Sequence, residues 1–391
     1  WWGCLCAGLT LLALLLSACG VRSAGSSGGG VTRQSTPTAT PTATPATTLA
    51  WRQSTWPPGF SLQDGGLAVS PVDGHDVWTC APAGNGVFAV WASRDAALTW
   101  ARVGAATLTT PQWTRCALVA DSDSTTTLVL VLTWGSGATG TLASASLISQ
   151  DGGATWRALP GELDVVQVAS VAGTIYAILY NTAPNAPPPS GLVVSTDGLR
   201  TWRVARPPNL ATHDEIFQFW LNPTADDLVA TSALHTLWRS TDGGVTWTRL
   251  PSLDMQASLG VWLPQRGQWL LCGGMPTAPQ LVCTSNDGAS WRQVPSVKST
   301  ASCAICGKNA STYTPYSDCA IDAIAPDQSF VSICSISDMG GTLTLFRLTP
   351  AASTWANLGT APGGFLALSA SGQLWCLDQQ TLRLFVATLP A

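Results

Sequence analysis

An all-β fold, a seven-bladed β-propeller of four-stranded antiparallel blades, is what this 391-residue sequence predicts, and three observations carry the prediction. An eight-residue phrase recurs along the chain. Its tryptophans fall at near-constant intervals. Between them lie short apolar runs broken by Gly, Pro, Asp and Asn, the pattern of strands joined by tight turns.

The phrase reads STDGGVTW at 240–247 and SQDGGATW at 149–156. STDGLRTW at 195–202, TSNDGASW at 284–291 and SRDAALTW at 93–100 keep most of the pattern S-x-D-x-G-x-T-W, and 348–355 keeps only its Thr-Trp end. Trp156, Trp202, Trp247 and Trp291 are separated by 46, 45 and 44 residues, the length of a four-stranded blade. Radial repetition of such blades lets one domain of some 340 residues escape the usual size limit of a single core.

Physically the octet is a turn between two strands. Asp95, Asp151, Asp197 and Asp242, with Asn286 in the fifth copy, can accept hydrogen bonds from amides of their own turn. A Gly in the fifth position takes positive φ without a Cβ clash. Ala97 and Leu199 replace that Gly, so those two corners are expected to be less regular. Trp100, Trp156, Trp202, Trp247 and Trp291 each offer a large apolar face and one N–H donor, suited to a seam between stacked sheets. These residues read as structural.

The octet resembles the Asp-box, or bacterial neuraminidase repeat, of β-propeller blades, where it forms the corner between the third and fourth strands, away from the active site. The closer resemblance is to seven-bladed Asp-box propellers similar to the photosystem II assembly factor of plants and cyanobacteria, a group that includes bacterial surface proteins. It extends over nearly all of 49–391. It implies a fold rather than a role, because function on such scaffolds lives in sites grafted onto them.

From the start of the chain, 9–16 is a short apolar core of signal-peptide length ending in Leu16-Ser17-Ala18-Cys19-Gly20, although no Lys or Arg precedes Arg22. This resembles the lipobox of bacterial lipoproteins and implies acylation of Cys19 and a membrane-anchored, extracytoplasmic protein. Residues 20–48 are a Gly/Ser/Thr/Pro segment expected to be disordered, a tether reaching about 30 Å. The organisation is therefore 1–19 signal peptide and lipobox, 20–48 linker and 49–391 propeller.

Each octet lets its blade be parsed into strands A to D. Blades one to three cover roughly 62–104, 112–160 and 163–207. The fourth divides into 216–222, 228–231, 236–240 and 246–250, the fifth into 258–264, 268–273, 280–284 and 290–294, and the sixth covers about 317–359. Residues 365–389 supply three strands and no octet. The missing fourth strand is 49–54, which reads like the other D strands and would close the ring with the chain's own beginning.

Only 10% of residues are charged and the net charge is −4, so nothing suggests a nucleic-acid partner. Of twelve cysteines, Cys4 and Cys6 leave with the signal and Cys19 takes lipid; nine remain for disulfides and one odd thiol in an oxidising compartment. Cys272 with Cys283, and Cys319 with Cys334, are the candidate pairs. The alternative is a metal site on Cys303 and Cys306 with Cys319 and Cys334, but a single CxxC supports it weakly. His75, His213 and His235 lack ligand spacing, so no metal or cofactor is predicted.

In an antiparallel blade the A–B and C–D corners share one end of the ring and the B–C and D–A connections share the other. The octets and short A–B turns occupy the first end. The long connections, 181–191, 206–215 and 296–317, occupy the second, where binding on a repeat scaffold usually resides. Tyr180, His213, Asp214, Glu215, Lys308, Tyr313 and Tyr316 lie on or beside them as candidate ligand-binding residues. A sialidase-like glycoside hydrolase would need, by resemblance, three clamping arginines, a Tyr nucleophile beside a Glu, an acid/base Asp and an early Phe-Arg-Ile-Pro signature. This chain has two glutamates, Glu162 and Glu215, four tyrosines, and only the interrupted echo Phe346-Arg347-Leu348-Thr349-Pro350. The reading preferred is a tethered monomeric binding or scaffold module for a protein or glycan, without a catalytic set. The alternatives are the sialidase-like hydrolase and an assembly factor for a membrane complex.

Overall fold

The β-branched and leucine-rich runs fold as 28 strands, and every regular element among the described residues is a strand. The structure, a computed structural model, describes residues 49–58, 60, 65–83, 87–107, 115–135, 142–161, 163–181, 191–211, 214–251, 256–275, 278–284, 286–295, 322–325, 327–334, 343–350, 352, 354–378 and 381–390.

Blade one is β2 (Gly66–Val69), β3 (Val77–Pro82), β4 (Val87–Ser93) and β5 (Ala101–Thr107); blade two is β6 (Arg115–Ala120), β7 (Leu128–Gly135), β8 (Leu142–Ser149) and β9 (Arg157–Ala158). Blade three is β10 (Leu163–Val171), β11 (Thr174–Asn181), β12 (Gly191–Ser195) and β13 (Arg203–Val204); blade four is β14 (Ile216–Leu221), β15 (Leu228–Ser232), β16 (Leu237–Ser240) and β17 (Thr248–Leu250). Blade five is β18 (Gln256–Leu263), β19 (Gln268–Met275), β20 (Ala278–Thr284) and β21 (Arg292–Gln293); blade six is β22 (Ala323–Ile324), β23 (Phe330–Cys334), β24 (Leu343–Leu348) and β25 (Ala356–Ala361). Blade seven joins β26 (Gly364–Leu368), β27 (Gln373–Asp378) and β28 (Arg383–Thr388) to the chain's first strand, β1 (Arg52–Gln53). Every pairing is antiparallel, and β1 docks on β28 with Arg52 opposite Val386 and Gln53 opposite Phe385. The protein is thus a seven-bladed β-propeller closed by its own N-terminal strand.

The first strands of successive blades touch one another from β2 through to β26 and form the inner wall. Middle strands are sandwiched between neighbouring blades, so β12 and β15 are buried at every position and read as continuous apolar or small runs rather than alternating ones. Outer strands such as β13 and β21 are exposed at both positions and carry the arginines.

Seven apolar clusters fill the seams, each shared by two adjacent blades. In every seam the later blade contributes the tryptophan that opens its D strand: Trp100, Trp156, Trp202, Trp247, Trp291, Trp355 and, for the closing blade, Trp51. Trp247 is buried, and a core side chain of this size stabilises by about 3–5 kcal/mol relative to Ala; the other six are half-buried and contribute less. The last seam is also hydrogen-bonded: Trp375 Nε1 donates to the Gly74 carbonyl at 3.1 Å, Ala370 N to Pro71 O at 2.7 Å, and Thr55 N to Ala97 O at 2.9 Å.

Candidate functional site

The octet corners form one end of the ring, and their residues are consumed in holding the turn. Ser240 Oγ donates to Asp242 Oδ1 at 2.8 Å and accepts Gly244 N at 2.7 Å; Asp242 then accepts Val245 N, Thr246 N and the Thr246 hydroxyl. The same set recurs around Asp95 and Asp197; at Asn286 the Oδ1 accepts the Thr284 hydroxyl and Ser290 N, while Nδ2 donates to the Ser290 hydroxyl. Around Asp151 the Ser149 and Thr155 bonds recur. Donation by the Thr246 hydroxyl and amide holds the Asp242 carboxyl at about 2, and Asp95 and Asp197 are likewise held well below the usual carboxylate range.

The expected irregularity at Ala97 and Leu199 does not occur. Both adopt the left-handed conformation, at φ 59° and 62°, and both amides donate to the serine Oγ at 2.8 Å as Gly153 does. The conformation costs about 1–2 kcal/mol for a residue with a Cβ. Leu199 is fully buried in the seam between blades two and three, and that burial offsets the cost.

Longer connections distinguish the opposite end. The chain passes from β11 at 181 to β12 at 191, from β13 at 204 to β14 at 216, and from β21 at 293 to β22 at 323. Asp164 and Tyr180 face each other across β10 and β11 at this end, and Asp322 directly precedes β22. Burial pushes Asp164 up to about 6 and Asp322 up to about 7, the latter despite a hydrogen bond from Ile333 N. Titratable groups displaced by desolvation at this end of the ring are candidates for ligand contact, and sequence reading passed over both because neither lies in a motif.

The candidate residues fare differently. Tyr180 is half-buried against the seam of blades three and four. Asp214 is buried, its Oδ1 accepting Leu234 N at 2.9 Å, so it braces the β15–β16 turn and is closed to a ligand. Glu215 stands half-buried beside it with its carbonyl accepting Ala233 N. His213, Lys308, Tyr313, Tyr316, Cys19 and Cys319 lie outside the described residues, as does the side chain of Cys334.

Cys272 and Cys283 are directly opposed on β19 and β20 and form a disulfide. A second, Cys80–Cys116, ties β3 of blade one to β6 of blade two, with Cα atoms 6.3 Å apart. It is inter-blade, so spacing within one repeat did not reveal it. Cys376 is the free cysteine among the described residues, buried on β27 with its thiol pushed well above the ordinary range by burial. Arg347, the arginine of the interrupted signature, is buried and bonded to Asp327, Ser329 and the Pro390 carbonyl. It has no guanidinium to offer a ligand carboxylate. Among the described residues Arg115 is the one arginine on an inner-wall strand.

No family model and no curated protein matches this sequence. Among solved structures the chain is similar to YCF48 from Cyanidioschyzon merolae, at 13% identity over 87% of this chain and 98% of that one, with a TM-score of 0.48. A structure of YCF48 bound to D1 peptide matches at 12% identity over 85% and 99%, with a TM-score of 0.47. The GH74 enzyme of Niastella koreensis matches at 13% identity over 83% and 70%, with a TM-score of 0.26. These likenesses concern the fold alone.

Proposed function

We propose that this chain is a binding module of the extracytoplasmic face of a bacterial membrane, acylated at Cys19, lifted on residues 20–48, and presenting the end of the ring that carries its long connections to a protein or glycan partner. The asymmetry of the ring supports this most directly. At one end the octets close into near-identical hydrogen-bonded corners whose serine and aspartate side chains are already engaged. At the other end lie the long connections and the desolvated carboxyls of Asp164 and Asp322. Enlarged loops on one end of a repeat scaffold are where recognition is built.

A sialidase-like hydrolase is the second reading. The raised Asp164 and Asp322 favour it, since a general acid needs such a shift. The engagement of Arg347 counts against a carboxylate clamp at that position. An assembly role differs from a receptor role only in its partner, which would be membrane-embedded.

The test is recovery of partners from detergent-solubilised host membranes with the lipidated chain, against a version lacking 296–317. Loss of one specific partner on deletion supports the reading. Identical recovery by both forms removes that loop from the account, and glycosidase activity abolished by Asp164→Asn or Asp322→Asn would replace binding with catalysis.

A further inference from the structure

Three D strands carry an inter-blade latch; Ala101, Thr248 and Ala356 leave three other seams without the arginine, and in one seam the arginine is present without its acceptor. After the seam tryptophan, Arg52 donates to the Ala96 carbonyl at 2.7 Å, Arg157 to that of Gly198, and Arg203 to those of Gly243 at 2.5 Å and Gly244 at 3.0 Å. Each acceptor lies in the next blade's corner, where two consecutive left-handed residues turn carbonyls toward the arginine. Arg292 follows Trp291 in the same way and faces blade six. There the corner has Leu348 for Ser and Pro350 for Asp, and Ala352 N donates to the Thr349 carbonyl at 3.0 Å rather than to a hydroxyl four residues back. Among the described residues Arg292 donates to no acceptor, and it is exposed to solvent.

The consequence is a groove of about 500 Å³ between blades five and six. Its walls combine Arg292 and Arg266 with the hydroxyls of Ser290 and Thr349 and the apolar surfaces of Phe330, Pro295 and Pro350. Among the described residues no carboxylate lines it. Asp327, next to the lining residue Gln328, is held by Arg347 and Ser329. The corresponding groove between blades three and four, about 400 Å³, is lined by Asp226 and Asp242, and its Arg203 is already spent on the latch. One seam is therefore closed to anions and the other open to them.

We propose that the groove between blades five and six binds a ligand that joins a carboxylate to a branched apolar group, with Arg292 receiving the carboxylate in place of the missing corner carbonyls. A guanidinium fork matches a planar carboxylate in two parallel bonds. The hydroxyls supply further donors, and the wall of Phe330, Pro295 and Pro350 takes the hydrocarbon. Such chemistry occurs in free acids and at the C-terminus of a peptide chain. The site lies at the corner end of the ring and stands independently of the function proposed above.

Titration of the full chain with N-acetyl-Leu-Leu, its C-terminal amide and hexanoate, followed by calorimetry, tests it. The peptide acid is expected to bind, the amide at least tenfold more weakly, and Arg292→Gln to lose at least tenfold while its unfolding midpoint stays unchanged. Arg203→Gln should bind as the parent does. Hexanoate matching the peptide assigns a small free acid; hexanoate failing where the peptide binds assigns a chain end, and both outcomes support the site. Equal binding of acid and amide, unaltered binding by Arg292→Gln, or no binding at millimolar ligand overturns it.

Discussion

Arg203 and Gly244 define the joint between blades: the guanidinium on the outer strand of blade three donates at 3.0 Å to a carbonyl that only a left-handed corner in blade four can aim at it. The seam between blades four and five, where Thr248 replaces the arginine, holds by another route. Arg239 pairs with Asp227 through two bonds of 2.9 and 3.0 Å and reaches Asp287 of the next blade at 2.6 Å, and Asp287 in turn accepts Trp269 N.

Arg203→Ala should therefore lower stability by about 1–2 kcal/mol, as expected for bonds from a charged donor in a partly exposed setting. Arg292→Ala should change it by less than about 0.5 kcal/mol, because a surface side chain without partners contributes little. Urea midpoints of the two variants check the contrast.

The two non-glycine corners should respond in opposite directions to the same substitution. Ala97→Gly relieves a left-handed Cβ at little packing cost and should stabilise by about 0.5–1 kcal/mol. Leu199→Gly removes a fully buried side chain from the seam and should destabilise by about 2–4 kcal/mol despite the same relief. Thermal or urea unfolding of each separates them.

Removing either disulfide should destabilise, and Cys80–Cys116 more than Cys272–Cys283. The first closes a separation of 36 residues and the second one of 11, a difference of about 1 kcal/mol in loop-closure entropy. Denaturation of the paired Cys→Ser variants measures the gap. Cys376, buried and held protonated, should resist alkylation at pH 8 until the protein unfolds, which peptide mapping of iodoacetamide-treated protein would show.

Stability should peak on the acid side of neutrality. Asp322 and Asp164 have folded values raised to about 7 and about 6, so the folded state binds the extra protons and gains stability as pH falls from about 7 toward about 4. Asp242 has a folded value lowered to about 2, so its contribution is full above about 4 and is lost as pH falls through 2. Asp322→Asn should reduce the neutral limb, which Asp164 and the half-buried Asp123, also raised to about 6, still sustain, and leave the acid limb in place. A midpoint series from pH 2 to 8 on both proteins reads this directly.

How much of this was legible in the sequence follows from where each interaction lives. The octet is local, a turn whose Ser, Asp, Thr and Trp lie within eight residues, so it marked six corners, and the likeness of 49–54 to other D strands located the closing strand. The regularity of the Ala97 and Leu199 corners was not legible, because it depends on what the neighbouring blade packs against them. The same holds for Cys80 with Cys116 and for the arginine latches, which join residues about forty positions apart. Asp164 and Asp322 looked ordinary because desolvation is a property of the assembled ring. Asp214 was read as a loop carboxylate and is a buried brace, since its acceptor role toward Leu234 appears only when the β15–β16 turn folds over it.

The most direct test of the binding proposal uses two exposed apolar residues at opposite ends of blade four. Leu234, 62% exposed, sits on the β15–β16 turn among the long connections; Val245, 66% exposed, sits on an octet corner. A photocrosslinking amino acid placed at each position in turn, in the lipidated chain on host membranes, should trap a specific partner from 234 and none from 245. Equal trapping from both, or trapping from 245 alone, would contradict the assignment of recognition to the end of the ring that carries the long connections.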